Sequence, residues 1–201
     1  MSPVVGFRAH PSAGPKLRLD ALTADDCEEV RLWRNQHLEG LRTPFPLTEE
    51  QQEVFYANVV CDRDLPLRYW AVRNEAGKIV AMVGLTDLDW YAGHGEVSLI
   101  TDPSKPKQGI GSGALDLLLH EAFAQMGLQT VWGECYECNP AIGFWHKVCE
   151  RHGAYMTRLP RRKRWAGKLW DSLYFAIESP YTACDCGGAC DDTDRSKGAS
   201  E

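Results

Sequence analysis

The chain has 201 residues, 44% hydrophobic and 25% charged, with a formal net charge of −6. Those proportions describe one globular domain long enough to bury a substantial core, and the acidic balance argues against a general affinity for phosphate backbones. No apolar run approaches the roughly 18 residues of a membrane helix, and the opening "MSPVVGFRAHPSAGPK" lacks the basic and apolar regions of a signal peptide, so a cytoplasmic protein is expected.

Residues 1–15 are rich in Pro, Gly and Ala and are expected to be loose. "LRLDAL" reads as a short strand. Thr23 then caps a helix over "ADDCEEVRLWRNQHLEG" that is expected to stop near Gly40, and Thr48 caps a second helix, "TEEQQEVFYANVV", with carboxylates in its first turn. After it the hydrophobic period changes. "RYWAVRN", the turn "NEAGK" and "IVAMVGLTDLDW" form a hairpin, and "HGEVSLIT" adds a further antiparallel strand. A glycine-rich turn, "KPKQGIGSG", leads into the helix "SGALDLLLHEAFAQMG", ended by Gly127, and then the strand "LQTVWGECY". Strand, helix and strand in that order form a right-handed crossover, which makes the two strands parallel members of one sheet. Asn139 and Pro140 open a last helix, "PAIGFWHKVCERHG", before the strands "AYMTRLP" and "LWDSLYFAIE". The expected fold class is therefore α/β (α+β). A mixed, mostly antiparallel sheet with a central parallel β-α-β crossover and helices on both faces is expected over residues 16–178, and residues 179–201 are expected to form a disordered tail containing Cys and Asp.

Cys135 and Cys138 form a C-x-x-C with no second tight pair nearby, so a four-ligand zinc site would have to recruit Cys184, Cys186 or Cys190 from the tail. Reduced thiols and no metal are expected.

The glycine turn carries the chemistry. A short turn that enters a helix N-terminus presents unpaired backbone N–H groups and the positive end of the helix dipole, which suits a phosphate or pyrophosphate. Glycines at a helix start also permit simple close packing, so the spacing has to decide. No Gly-Lys-Ser/Thr closes the turn, and it does not follow G-x-G-x-x-G. Gln108, Gly109, Ile110, Gly111, Ser112 and Gly113 do match Q/R-x-x-G-x-G/A, and on these residues the chain resembles the GNAT superfamily of acetyltransferases. "GEVSLITDPSKPKQGIGSGAL" is similar to the family's central strand, loop and helix, and "NPAIGFWHKV" to its following Asn-x-x-Ala helix. "LWRN" at 32–35 and "WAGKLWDSLYFAI" at 165–177 resemble the branch that acetylates ribosomal-protein N-termini and amino-sugar nucleotides.

The resemblance implies acetyl-CoA as co-substrate and no metal. Its pyrophosphate would lie on the amides of residues 108–113 and its pantetheine arm along the central strand, where a backbone N–H from Leu99, Ile100 or Thr101 meets the oxyanion. Asn139 would contact the pantetheine or merely cap its helix. Trp145 stands where many relatives carry a tyrosine that donates to the departing sulfur. An indole cannot deliver that proton, so either the thiolate leaves unaided or Tyr136 or His146 supplies an acid.

Transfer from a thioester to an amine requires orientation of the two groups, removal of a proton from the ammonium and stabilisation of the oxyanion. Glu96 is the first candidate base, with Asp87, Asp89, His94 and Glu134 as substitutes; the competing reading is an edge carboxylate that faces solvent or pairs with Arg34. Strand alternation places Glu96, Ser98 and Ile100 on one face. Trp33, Arg34 and Asn35, with Phe45, Trp90, Tyr91 and Glu134, are candidates for the acceptor pocket. The basic run "PRRKR" at 160–164 is expected in a hairpin loop, either solvated or attracting an anionic acceptor. The expected function is acetyl transfer to a primary amine, on a nucleotide-linked amine or amino sugar. The alternatives are a protein N-terminus, an amine on a modified nucleobase, and a catalytically weak CoA-binding module. A monomer or homodimer acting on a small-molecule acceptor is expected, with nucleic acid not favoured and no membrane partner.

Overall fold

The computed structural model describes residues 15–105 and 108–181. The expected loose segment up to residue 14, Pro106, Lys107 and the tail from residue 182, with Cys184, Cys186 and Cys190, lie outside them.

Strand β1 (Arg18–Ala21) leads to α1 (Ala24–Arg34), where the Thr23 hydroxyl accepts from the Asp26 N–H at 3.2 Å and the Asp26 carboxylate accepts from the Thr23 N–H at 3.0 Å. This reciprocal cap satisfies two donors at the helix start. The helix ends at Arg34, earlier than expected. Asn35 turns its side chain onto Leu47, donating to its carbonyl at 2.8 Å and accepting from its N–H at 2.9 Å, and only a 3-10 turn at Leu38–Gly40 follows. Such a local alternative for the side chain favours a helix end over a helix interior. A second reciprocal cap, Thr48 with Gln51, starts α2 (Glu49–Phe55), which continues as a π-helical turn over Tyr56–Val60.

The remaining elements are β2 (Arg68–Arg73), β3 (Ile79–Asp89), β4 (His94–Thr101), α3 (Ile110–His120), β5 (Thr130–Tyr136), α4 (Ile142–His152), β6 (Tyr155–Trp165) and β7 (Lys168–Glu178). Among the described residues they form one seven-stranded sheet in the order β1-β2-β3-β4-β5-β7-β6. Every neighbouring pair is antiparallel except β4 and β5, the strands joined by the α3 crossover. On one face Leu115, Leu118 and Leu119 of α3 and Val148 of α4 pack with Val83, Leu85 and Phe175. On the other, Cys27, Val30 and Trp33 of α1 cover Ala71 and Met82.

The parallel pair is short. β4 and β5 are in register only at His94, Gly95 and Glu96 against Thr130, Val131 and Trp132. Beyond that point β4 stays paired with β3 as far as Thr101, while β5 stays paired with β7 as far as Tyr136. Each strand keeps its outer partner while the two inner edges part. Trp145 of α4 packs behind this fork, its ring stacked 4.9 Å from Phe175 and edge-on at 5.1 Å to Phe144.

The basic run is not in a hairpin loop. It lies within β6, where the register advances from Leu159 to Lys163 while β7 moves only from Ser172 to Trp170, so two extra residues bulge out of β6. Pro160 has no N–H for the ladder, and Arg161, at φ 53°, donates its N–H to the Asp171 carboxylate at 2.8 Å.

The throat of the fork has no room for a side chain at Gly133. A Cβ there would lie 2.5 Å from Phe175 Cζ and 2.9 Å from Val97 Cγ1, and Phe175 is buried without space to move. Gly133→Ala should therefore destabilise the fold by about 1–3 kcal/mol through overpacking, more than the ~0.4–1 kcal/mol gained from a less flexible unfolded chain. Chemical denaturation measures this, and an unchanged or higher midpoint would show that the strands can yield at this point.

Candidate active site

Two cavities open on the fork. The larger, about 640 Å³, is bounded by Leu99, Ile100 and Thr101, by the turn Gln108–Ser112 and by Asn139, Ala141 and Phe144 of the next helix start. The smaller, about 500 Å³, contains Glu96, Ser98, Gly133 and Glu134. Arg34, Gly40, Leu41, Leu99, Ile100, Asn139 and Trp145 line both, so the cavities meet at the fork.

The larger cavity suits an extended, anion-bearing group. Gly109 adopts a left-handed conformation, φ 75°, immediately before α3, and Gly113 is the first residue of the turn whose N–H finds a helical acceptor, the Gly109 carbonyl at 3.0 Å. The N–H groups of Ile110, Gly111 and Ser112 are by position the first-turn donors that have no intrahelical partner. A Cβ on Gly111 would meet only ordinary contacts, the nearest 3.5 Å away on Phe144, so glycine is not required there by packing. Asp102, which sequence reasoning did not single out, organises the approach to the turn: its buried carboxylate accepts from the Ser104 N–H at 2.9 Å and from the Ser104 hydroxyl at 2.7 Å. The inner edge of β4 from Val97 to Thr101 has no ladder partner across the gap among the described residues, which leaves extended backbone facing the cavities.

Glu96 sits where the strands part and is buried. Its partner is not Arg34 but Arg42, whose two terminal nitrogens grip both carboxylate oxygens, with Nη1 to Oε2 at 2.8 Å. Thr86 places its hydroxyl 3.5 Å from Oε2, beside a β3 bulge that contains Asp87 at φ 47°. Burial pushes the Glu96 carboxyl above its ordinary range, and Arg42 offsets only part of that shift. Glu134 faces the same cavity but is differently held: burial would raise it, yet hydrogen bonds from Arg162 Nε at 2.8 Å and Ser172 Oγ at 2.6 Å outweigh burial and keep it low. The two carboxyls are thus driven apart, Glu96 toward the protonated form and Glu134 toward the ionised one.

Among the other candidates, Trp33 lines the larger cavity but belongs mainly to the core beneath α1. Arg34 lines both cavities while donating to the carbonyls of Thr43 and Phe45, each at 3.0 Å. Asn35, Phe45, Trp90, Tyr91, Tyr136 and His146 line neither. Trp90 and Tyr91 are exposed in the β3–β4 turn, where Asp89 accepts from the Tyr91 and Ala92 N–H groups at 2.9 and 2.8 Å. His94 stands at the start of β4 with a buried Nδ1 that has no hydrogen-bond partner. Tyr136 is buried under the Lys163 ammonium, 4.8 Å from its ring centre, and His146 is on the exposed side of α4. Asn139 both caps and braces, accepting from the Ala141 N–H at 2.8 Å and donating to the Gly40 carbonyl at 3.5 Å. Cys135 and Cys138 are free thiols, and burial pushes Cys135 up to about 12. Sequence reasoning missed Arg42 and Asp102, and it expected Lys163 in a loop with the rest of the basic run rather than buried beside Tyr136.

The Glu96–Arg42 pair has a measurable pH signature. Because burial raises the folded-state pKa of Glu96 above its unfolded value, its contribution to stability is complete at low pH and is lost as pH rises through the raised value. Arg42→Ala should exaggerate this loss. The variant is expected to match wild type near pH 4 and to fall about 1–2 kcal/mol below it near pH 8, less than for a fully enclosed pair because Arg42 is half exposed. Thermal unfolding across that range measures it, and a deficit independent of pH would contradict the assigned ionisation.

Residues 16–154 match the acetyltransferase (GNAT) domain model, a span that includes β1 through α4. None of the curated proteins matches the chain. Among solved structures, the chain is similar to the spermidine N-acetyltransferase from Vibrio cholerae in complex with CoA and spermine, with a TM-score of 0.70 and 17% identity over 81% of this chain and 95% of that one. It is also similar to the dodecameric form of the Vibrio cholerae enzyme in an intermediate state, with a TM-score of 0.67 and 18% identity over 81% of this chain and 93% of that one. At those identities the likeness is one of fold. The domain match, the forked parallel pair and the glycine turn agree, and the chain belongs to the GNAT family of acetyltransferases.

Proposed function

We propose that this protein transfers an acetyl group from acetyl-CoA directly to a primary amine on a small, cationic acceptor. The observation that carries the reading is the meeting of two cavities at the fork, one ending on a glycine-rich helix start and the other on a buried carboxylate of raised pKa. A solved neighbour in complex with CoA and spermine is in keeping with an amine acceptor.

In this reading the first-turn N–H groups at residues 110–112 bind the pyrophosphate, and Lys105, which lines the same cavity and pairs with Asp102 at 3.7 Å, adds positive charge. The unpaired β4 edge offers N–H groups from Leu99 to Thr101 to amide and carbonyl oxygens. Acetyl-CoA supplies an activated thioester, so the protein's task is to align the amine and take its proton. Glu96 takes that proton directly or through one water. The Trp145 indole cannot supply a proton and His146 is exposed on α4, and the modest pKa of a thiol permits the thiolate to leave without a dedicated acid.

The acceptor is assigned to the amine class by the carboxylates that face the smaller cavity. The nucleotide-linked acceptor expected from the basic run draws less support from it, because Arg162 pairs with Glu134 and Lys163 donates to backbone carbonyls, which leaves Arg161 and Arg164 as its exposed cations.

Release of free thiol from acetyl-CoA, measured against a panel of di- and polyamines, amino sugars, nucleotide amines and peptides, tests the reading. Glu96→Gln should lower turnover by about 10²–10⁴ while CoA affinity persists, and should abolish the acidic limb of the kcat/KM profile. In the wild type that limb should lie above the ordinary glutamate range, with activity falling as pH drops through it. Gly111→Val should instead weaken CoA binding at least about tenfold in a folded protein by filling the approach to the turn. An acidic limb that survives in Glu96→Gln would remove Glu96 from the role of base, and unchanged CoA affinity in Gly111→Val would move the cofactor elsewhere.

A further inference from the structure

The segment that connects α1 to α2 crosses the fork as a strap. Gly40 and Leu41 line both cavities, and the next residue is Arg42, the partner of Glu96. Apart from the turn at Leu38–Gly40 the strap has no regular structure, so its position depends on what grips its carbonyls. Three side chains from the far side of the fork do so. Lys163 Nζ donates to the Glu39 carbonyl at 2.7 Å and also to the Leu41 carbonyl, Cys138 Sγ lies 3.3 Å from the Glu39 carbonyl, and Asn139 Nδ2 reaches the Gly40 carbonyl at 3.5 Å.

Lys163 is the unusual member. It is only 7% exposed and has no ion pair among the described residues; its ammonium lies between the rings of Tyr136 and Trp165, at 4.8 and 5.5 Å. A buried ammonium is unfavourable unless strongly bonded, and here the bonds all go to the strap. The β6 bulge delivers it: Pro160 and the left-handed Arg161 shift the register so that Lys163, flanked by exposed arginines, turns inward.

We propose that Lys163 is a positioning residue for acetyl transfer, clamping the strap at residues 39–41 so that Arg42 is held against Glu96. The proposal rests on the reading of Glu96 as base. The groups around Glu96 explain why the clamp matters. Arg42 is the cation in contact with it, whereas Asp87 from β3 and Glu134 from β5 add negative charge, Thr86 offers a neutral hydroxyl, and Tyr69 from β2 lies within range of its charge. When the strap loosens, burial and those two carboxylates drive Glu96 toward the protonated form, which accepts no proton from an amine. Lys163 itself faces Tyr136, Trp165, Cys138 and Glu39, and burial lowers its pKa.

The test is a double-mutant cycle in the full chain, with kcat/KM for an active amine measured across pH for Lys163→Met, Arg42→Ala, the double variant and Glu96→Gln. Lys163→Met should reduce kcat/KM on the order of 10²-fold at neutral pH, as a misplacement near 1 Å can, and move the acidic limb upward in the same direction as Arg42→Ala. The double variant should be no slower than Arg42→Ala alone, because the clamp acts through Arg42. Lys163→Gln, which keeps one donor, should fall between wild type and Lys163→Met, and it carries the same cycle if Lys163→Met does not fold. Losses that multiply in the double variant, or an acidic limb unmoved by either lysine variant, would overturn the clamp while leaving Glu96 as base. An acidic limb retained in Glu96→Gln would instead overturn the underlying reading.

Discussion

Everything in this site depends on where two parallel strands stop pairing. β4 and β5 share a ladder only through Glu96 and Trp132, and beyond that point each is held by its outer neighbour. An unpaired strand edge inside a sheet is unfavourable unless something takes its hydrogen bonds. The fork tolerates this because both edges face cavities, while Trp145 and Phe175 fill the space behind them with stacked aromatic surface. The fork therefore creates the binding groove, the backbone donors within it and the location of the carboxylate at its apex.

The charges are arranged on this frame from sequence-distant elements. Glu96 comes from β4, Arg42 from the strap, Glu134 from β5 and Arg162 and Lys163 from β6. A pair formed across the cavity by the strap and β4 orders the mouth of the site as well as the ionisation of one residue. The opposite shifts of Glu96 and Glu134 follow from their partners. Glu134 is hydrogen-bonded by an arginine and a serine, whereas Glu96 is more deeply affected by burial and has Asp87 and Glu134 as like-charged neighbours. An acetyl-transfer site needs a carboxylate that can take a proton from the amine, and of the two it is Glu96 whose affinity for a proton is raised by its surroundings.

Much of the fold was legible because it follows from local signals. The Thr23 and Thr48 caps, the glycine turn before α3 and the crossover that forces β4 and β5 parallel each depend on a few adjacent residues. The turn at 108–113 lies before α3 as its glycine spacing implied, and Glu96, singled out by the resemblance of its strand to a family, lies buried at the end of the parallel pair. The end of α1 was not, because Asn35 is diverted to Leu47, a contact across a loop that no periodicity encodes. The basic run was misplaced for a related reason. "PRRKR" has the composition of a solvated loop, but Pro160 and the left-handed Arg161 make a bulge within a strand and send Lys163 inward. Arg42 carries no motif and is brought to Glu96 only by the path of the strap.

The central claim is that the parted edge of β4 and the turn before α3 together receive the CoA moiety. Backbone hydrogen exchange with and without CoA measures it most directly, since both segments expose amides that a bound ligand would shield. The account predicts slowed exchange at those amides of Val97–Thr101 that point away from β3 and at Gly109–Ser112, with the paired residues Thr130–Trp132 unchanged. Protection confined to β6 and β7, or exchange unaltered in both predicted segments at saturating CoA, would contradict it.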